Sequence, residues 1–321
     1  MKTLVTGGTG FIGSPVVDRL LAEGHVVRLF SRKPKVPERL QCRNVEAYQG
    51  DLEDASSLIK AMEGVDTLFH IGEIKNITKF AAEKNVKLVE QIVEHVTATG
   101  VKRFVFVSSI TVAGIPSSLP ACEETEPDIA LQDQYTAYKR RCEEIIRGKT
   151  EGCEFAIMRP APVYGPGSRY LGRMVSAIEI LGPLGLPFIG DAKNLAPLIH
   201  VQDLSAAICR AGTVPAAAGQ TFNLTDGLSH SWFDFFHAVS EALGKKLRIV
   251  PLPSLLLKLM GAPIELFSGF FGINLDPIHY VDYFSKNLLF DNAKAKALLD
   301  WQPEYSLPDG VREMVAYYKR K

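Results

Sequence analysis

Residues 1–110 alternate short apolar runs with amphipathic stretches. The runs at 2–6, 25–30, 45–50, 65–71 and 103–108 are rich in β-branched and aromatic residues and end at polar or glycine positions, so each predicts a strand. Between the first two, Val16, Val17, Leu20 and Leu21 fall on one helical face; Pro15 is tolerated in the opening turn and Gly24 ends the helix. Further on, Val86, Val89, Ile92, Val93 and Val96 recur at spacings of three and four, which predicts a second amphipathic helix. A helix over 134–147 and a strand over 153–159 continue the alternation. Parallel strands need crossovers, so strand–helix alternation implies a parallel sheet covered by helices on both faces, an α/β fold.

After residue 159 the texture changes. Pro160, Pro162, Pro166, Pro183 and Pro187 arrive with many glycines, and irregular structure is expected to about residue 198. A strand near 221–224 and a helix over 232–243 follow. The pattern divides the chain into a nucleotide-binding part, 1–160, with returning segments near 198–225, and a smaller, mainly substrate-binding α/β part, 161–321. The stretch 252–275 is rich in Leu, Phe and Met, but Pro253, Lys258, Pro263, Glu265 and three glycines interrupt it. It falls short of a spanning helix and reads as helices around an apolar pocket, with interfacial membrane contact as the lesser alternative.

Composition narrows the classes. Lys plus Arg equals Asp plus Glu at 36 each, so no charge imbalance draws nucleic acid or an anionic membrane. The five cysteines, at 42, 122, 142, 153 and 209, are scattered and form no CxxC pair, which argues against a disulfide framework or a metal site and for reduced thiols in a cytoplasmic protein. Leu4-Val5 is followed at once by glycines, so the start lacks the apolar centre of a secretion signal.

The first strand runs into Thr6-Gly7-Gly8-Thr9-Gly10-Phe11-Ile12-Gly13. Gly7 permits a tight turn, Gly10 lets a pyrophosphate approach the backbone and Gly13 lets helix and strand pack closely. Thr9, Phe11 and Ile12 belong to the same turn, and the helix start that follows offers free N–H groups to phosphate. This strand–turn–helix predicts a Rossmann-type doubly wound sheet holding a dinucleotide. Where NAD enzymes carry an acid for the ribose hydroxyls, this chain has Ser31-Arg32-Lys33. A guanidinium there pairs a 2′-phosphate, which predicts NADP, with NAD as the alternative. Asp51 and Leu52, after the third strand, are candidates for the adenine amino group and ring face.

Tyr135 and Lys139 stand four apart on a predicted helix and so share one face. A nearby ammonium favours phenolate, so Lys139 would make Tyr135 a usable acid/base while also holding the cofactor ribose, which places both residues beside the cofactor. The strand beginning at Phe104 ends in Ser108-Ser109, at the end of the sheet where ligands sit, and Ser109 could donate to a reacting oxygen.

TGGTGFIG, GDL at 50–52, FHI at 69–71, NV at 85–86, SSITVAG at 108–114, YTAYK, MRPAPVYGPG at 158–167, LIHVQDL at 198–204 and WQPEYSLPDGV at 301–311 resemble, in order and spacing, the extended short-chain dehydrogenases/reductases, also called the NAD-dependent epimerase/dehydratase superfamily. The resemblance covers almost the whole chain. It implies Ser109, Tyr135 and Lys139 as the catalytic set, with Ile71, Gly72, Pro160 and Val163 beside the cofactor. It also implies a helix asparagine at Asn85 and a homodimer through about 81–99 and 134–147. Two departures bear on substrate. Nucleotide-sugar epimerases usually carry Asn before VYG and Arg shortly before the HV-x-D stretch; this chain has Pro162 and Ala196. Residues 189–195, Tyr283-Phe284 and 290–295 instead resemble 3β-hydroxysteroid dehydrogenase and dihydroflavonol reductase relatives. The expectation is an NADP-dependent carbonyl/alcohol oxidoreductase acting on an apolar substrate; the alternatives are a nucleotide-sugar epimerase or dehydratase and a non-catalytic NADP-binding sensor.

Overall fold

The computed structural model describes residues 1–33, 38–40, 44–74, 79–149, 152–259 and 277–320. Seven strands form one sheet: β1 (Lys2–Thr6), β2 (Val26–Ser31), β3 (Val45–Gln49), β4 (Thr67–His70), β5 (Arg103–Val107), β6 (Glu154–Pro160) and β7 (Gln220–Leu224). Their spatial order is 3-2-1-4-5-6-7, and every pairing is parallel. The order reverses at β1, so the crevice outside the carboxyl ends of β1 and β4 is the topological switch point, where such sheets bind ligands.

Strand alternation sorts the core. Leu4, Leu68, Phe104 and Phe106 face helices α2 (Ala55–Met62), α3 (Lys79–Val96) and α4 (Gln134–Lys149). Val5, Phe69, Val105 and Val107 face α1 (Gly13–Ala22) and α6 (Val201–Thr213). The predicted strands lie within a residue or two of those formed; the second, for example, is shifted by one to Val26–Ser31. The edge strand β3 is the most exposed, as its mixed composition requires.

The expectation of irregular structure up to 198 is corrected by α5 (Arg169–Leu181). The prolines and most glycines cluster on either side of it, while Leu171, Val175 and Ile178 keep helical spacing. Its one internal glycine, Gly172, admits the phenol of Tyr318: a Cβ there would lie 2.2 Å from the Tyr318 oxygen. With α7 (Trp232–Leu243) and a later helix (Leu307–Lys319), α5 encloses a third core of Tyr164, Trp232, Phe235, Phe236 and Met314. Among the described residues no helix is long and apolar enough to cross a membrane. Residues 260–276, most of the apolar stretch singled out above, lie outside the described part.

Candidate active site

The glycine turn closes on itself through backbone. Gly10 N–H donates to the Gly7 carbonyl at 2.8 Å, and Gly7 has φ +69°. A Cβ on Gly13 would stand 2.2 Å from the Gly7 oxygen; one on Gly7 would stand 2.7 Å from Gly72 Cα. No side-chain hydrogen bond caps α1, and its first turn carries no acid that would repel an anion. Thr9 and Gly10 are exposed, Phe11 and Ile12 half-buried. A tight turn at a helix start, whose backbone packing admits no Cβ on Gly7 or Gly13, fits a dinucleotide pyrophosphate.

The segment leaving β4 is tied to this turn. The Thr6 hydroxyl accepts from Ile71 N–H (3.2 Å) and Gly72 N–H (3.1 Å) and lies 3.0 Å from His70 Nδ1. With its lone pairs taken by amides, the hydroxyl donates to Nδ1. Burial, with the Lys139 charge adding to it, drives the His70 pKa down to about 3, so the imidazole is neutral.

Arg32 and Lys33 are exposed just beyond β2, where Ser31 Oγ donates to the Lys33 carbonyl at 2.7 Å. Asp51 is exposed and accepts from Glu53 N–H at 3.1 Å. The N-cap of α2 is Asp54, which accepts from Ser56 N–H; Asp51 is free of that duty. Leu52 Cδ1 would meet a Cβ on Gly72 at 3.1 Å, which sets Leu52 against the turn.

Ser108 and Ser109 part company at the end of β5. Ser108 Oγ donates inward to the buried Glu143 at 2.6 Å. Ser109 caps the short helical turn 110–113, and its Oγ receives the Thr111 hydroxyl at 2.9 Å. On α4, Tyr135 is 39% exposed while Lys139 is 5% exposed. Lys139 Nζ donates to the Val107 carbonyl at 2.8 Å, two residues before Ser109, and lies 5.7 Å from the centre of the Tyr135 ring. Burial lowers the Lys139 pKa, and the Glu73 carboxylate, 3.8 Å away, opposes that. The arrangement is an ammonium held under an exposed phenol at the carboxyl edge of the sheet, able to favour phenolate and move one proton.

Pro160 ends β6, and Val163, half-buried, pairs with Ile199 in a short parallel ladder. Ala196 is buried in the third core, its N–H donating to the His230 carbonyl at 2.8 Å. Asn85 is buried and holds both main-chain groups of Ile74 at 2.9 Å. Three residues at the site escaped the sequence reading. Glu73 and Tyr138 share a 2.5 Å hydrogen bond, and Glu143 binds Arg159. Only Glu143 had a signal: it lies one helical turn beyond Lys139.

A family model for the NAD-dependent epimerase/dehydratase family matches residues 3–225. The chain belongs to this family. Its relatives divide between two chemistries. A 3β-hydroxysteroid dehydrogenase/Δ5→4-isomerase of Mycobacterium tuberculosis is 29% identical over 99% of this chain and 90% of its own length. A UDP-glucose 4-epimerase of Mycolicibacterium smegmatis is also 29% identical, over 100% of this chain and 99% of its own length. Among solved structures, that of gox2253 superposes with a TM-score of 0.80 at 26% identity, covering 99% of this chain and 98% of that one. The UDP-glucose 4-epimerase of Bifidobacterium longum, in complex with NAD+ and UDP, shares the fold at 19% identity with a TM-score of 0.77 over 100% and 99% of the two chains. This epimerase/dehydratase-family enzyme therefore has the extended short-chain dehydrogenase fold.

Proposed function

We propose that this family member is an NADP-dependent oxidoreductase that interconverts a secondary alcohol and a carbonyl on an apolar substrate. Tyr135 would be its acid/base, Lys139 the charge that makes Tyr135 acidic, and Ser109 the donor to the reacting oxygen. The observation that carries this reading is Lys139, pinned at 2.8 Å to the end of β5 beneath the exposed Tyr135. In the oxidising direction the alcohol hydroxyl gives its proton to Tyr135 as its carbinol C–H bond breaks and the C=O bond forms. In the reducing direction Tyr135 returns the proton to the carbonyl oxygen. The nicotinamide, when bound, is the hydride acceptor or donor. Gly7, Gly10 and Gly13 would hold its pyrophosphate, Asp51 and Leu52 its adenine, and Ile71, Gly72, Pro160 and Val163 its ribose and ring.

Arg32 and Lys33, exposed at the end of β2 with no intervening acid, support NADP over NAD. Pro162 and the buried Ala196 support an apolar substrate, since neither supplies the fork that grips a sugar diphosphate. The same reading carries a homodimer through α3 and α4, checked by sedimentation. The test of chemistry is Tyr135→Phe, which keeps the ring and removes the proton. We expect kcat to fall by roughly 100-fold or more with cofactor affinity unchanged. Near-wild-type turnover would exclude Tyr135.

The relative from M. smegmatis, matched over nearly its full length, favours a second reading as a nucleotide-sugar epimerase. Saturable binding of UDP-glucose with turnover that leaves the cofactor's redox state unchanged selects it. Reduction of a ketone with stoichiometric loss of NADPH absorbance selects the first.

A further inference from the structure

Glu73 stands where two ties meet. On one side of it, Ile71 and Gly72 are held by the Thr6 hydroxyl. On the other, Asn85 grips Ile74, its Oδ1 accepting from Ile74 N–H and its Nδ2 donating to the Ile74 carbonyl, each at 2.9 Å. The same Nδ2 also donates to the Ala81 carbonyl at 2.8 Å, which anchors Asn85 in α3. The main chain is thus held on both sides of Glu73, and its side chain is held by a further bond. The Glu73 carboxylate accepts from the Tyr138 hydroxyl at 2.5 Å and lies 3.8 Å from Lys139 Nζ.

We propose that Glu73 is a positioning residue for the acid/base pair: its carboxylate keeps Lys139 protonated and in place beneath Tyr135. The proposal rests on the roles assigned to Tyr135 and Lys139 above.

The surroundings of Lys139 explain why it needs such a partner. Its Nζ has one main-chain acceptor, the Val107 carbonyl, and otherwise faces the rings of Phe106, Tyr135 and Tyr138. Burial in such a place favours the neutral amine. From α4 itself, Glu143 also favours the charged Lys139, but its oxygens are bonded to Arg159 of β6 and to Arg147. Burial pushes the Cys142 thiol up to about 12 and the Tyr138 phenol well above its ordinary range, so both are neutral. From α3, Glu90 acts on Cys142. From β4, His70 is neutral and would only repel if charged. Among the described residues, Glu73 is thus the carboxylate that reaches Lys139 from outside α4, and Tyr138 holds it there.

The experiment is a pH titration of the lysine side-chain carbon and nitrogen NMR signals in the full chain, with Lys139 assigned by its loss in Lys139→Met. Glu73→Gln keeps an acceptor for Tyr138 and removes the charge. The Lys139 midpoint should fall by about one pH unit, a tenfold loss of proton affinity. Glu73→Asp should recover part of it, and Tyr138→Phe, which leaves the carboxylate, should move it less. Glu73→Ser carries the same expectation as Gln should the latter not fold. The alkaline limb of kcat/KM should move down by the same amount as the midpoint. An unchanged or raised midpoint in Glu73→Gln overturns the proposal, as does a larger shift in Tyr138→Phe. Failure of the functional reading is seen separately: Tyr135→Phe would then keep its turnover while the Lys139 midpoint still responded to Glu73.

Discussion

Arg159→Met should unfold this protein far more readily than an ordinary strand substitution, and its effect should depend on pH in a defined direction. Glu143 is 0% exposed. Its oxygens receive Arg159 Nε at 2.9 and 3.2 Å, Arg159 Nη2 at 2.7 Å, Ser108 Oγ at 2.6 Å and Arg147 Nη2 at 2.8 Å. Burial alone would raise its pKa; the hydrogen bonds and charge of Arg159 outweigh that and hold the carboxyl below its ordinary range. Methionine removes the partner and leaves the buried carboxylate. Breaking a buried pair from one side costs about 3–5 kcal/mol. Arg147, itself well exposed, still reaches Glu143, which points to the lower end, about 3 kcal/mol. At roughly 2 °C per kcal/mol for a chain of this size, Tm should drop by about 6 °C.

Urea unfolding followed by tryptophan fluorescence gives the difference directly. A double-variant comparison then separates charge from packing. Glu143→Gln alone should destabilise, because it leaves Arg159 without its counter-ion. In the Arg159→Met background the same change should stabilise, because it removes a buried charge left with only the exposed Arg147 to offset it. With Arg159 gone, burial outweighs the remaining Arg147 contact, and the Glu143 carboxyl has a folded pKa above its unfolded one. It therefore weakens the fold at high pH and regains stability as it is protonated, so the deficit should be smaller at pH 5 than at pH 8. A deficit below about 1 kcal/mol, a Gln substitution that hurts in both backgrounds, or a deficit that grows on acidification would each refute the reasoning.

Three further outcomes are expected. Gly13→Ala should weaken NADPH binding by about tenfold or more in a fluorescence titration and cost about 1–3 kcal/mol in unfolding, since the 2.2 Å clash is with backbone that cannot rotate away. Arg32→Gln should lower the ratio of NADPH to NADH affinity by about tenfold, through loss of one charge-assisted contact, while leaving NADH binding nearly unchanged; calorimetry with both cofactors checks it. Asp226 is buried, which raises its pKa to about 6. Between its unfolded value and about 6 the folded state holds the extra proton, so this group's contribution falls as pH rises. Asp226→Asn should therefore flatten the decline in stability between pH 4 and 6, and an unchanged slope would show that Asp226 does not titrate there.

Much of the architecture was legible because local chemistry and global fold agree. Leu4-Val5, Leu68-Phe69 and Phe104 to Val107 alternate between the two faces of a buried sheet, and such runs read as strands. The glycine turn was legible because its steric demands are local: Gly13 meets Gly7, only six positions away. Helix α5 was lost because prolines and glycines on both sides set the texture of the segment, while the aromatic residues that cover it come from α7 and the helix Leu307–Lys319.

The sequence by itself determined the parallel α/β class, the glycine turn and the pairing of Tyr135 with Lys139 on one face of a helix, all of which follow from local pattern and spacing. Only the tertiary structure decided what each of the two adjacent serines touches. Ser108 turns inward to Glu143, a partner 35 residues away, and Ser109, also buried, caps the turn 110–113. It alone brought Glu73 to Lys139 across a gap of 66 positions, by tying the exit of β4 to Thr6 and to Asn85. Spacing specifies neighbours on an element. Which charges meet in a buried site depends on how β4, β5 and α4 are brought together, and in low dielectric those meetings set the proton affinities on which the proposed chemistry depends.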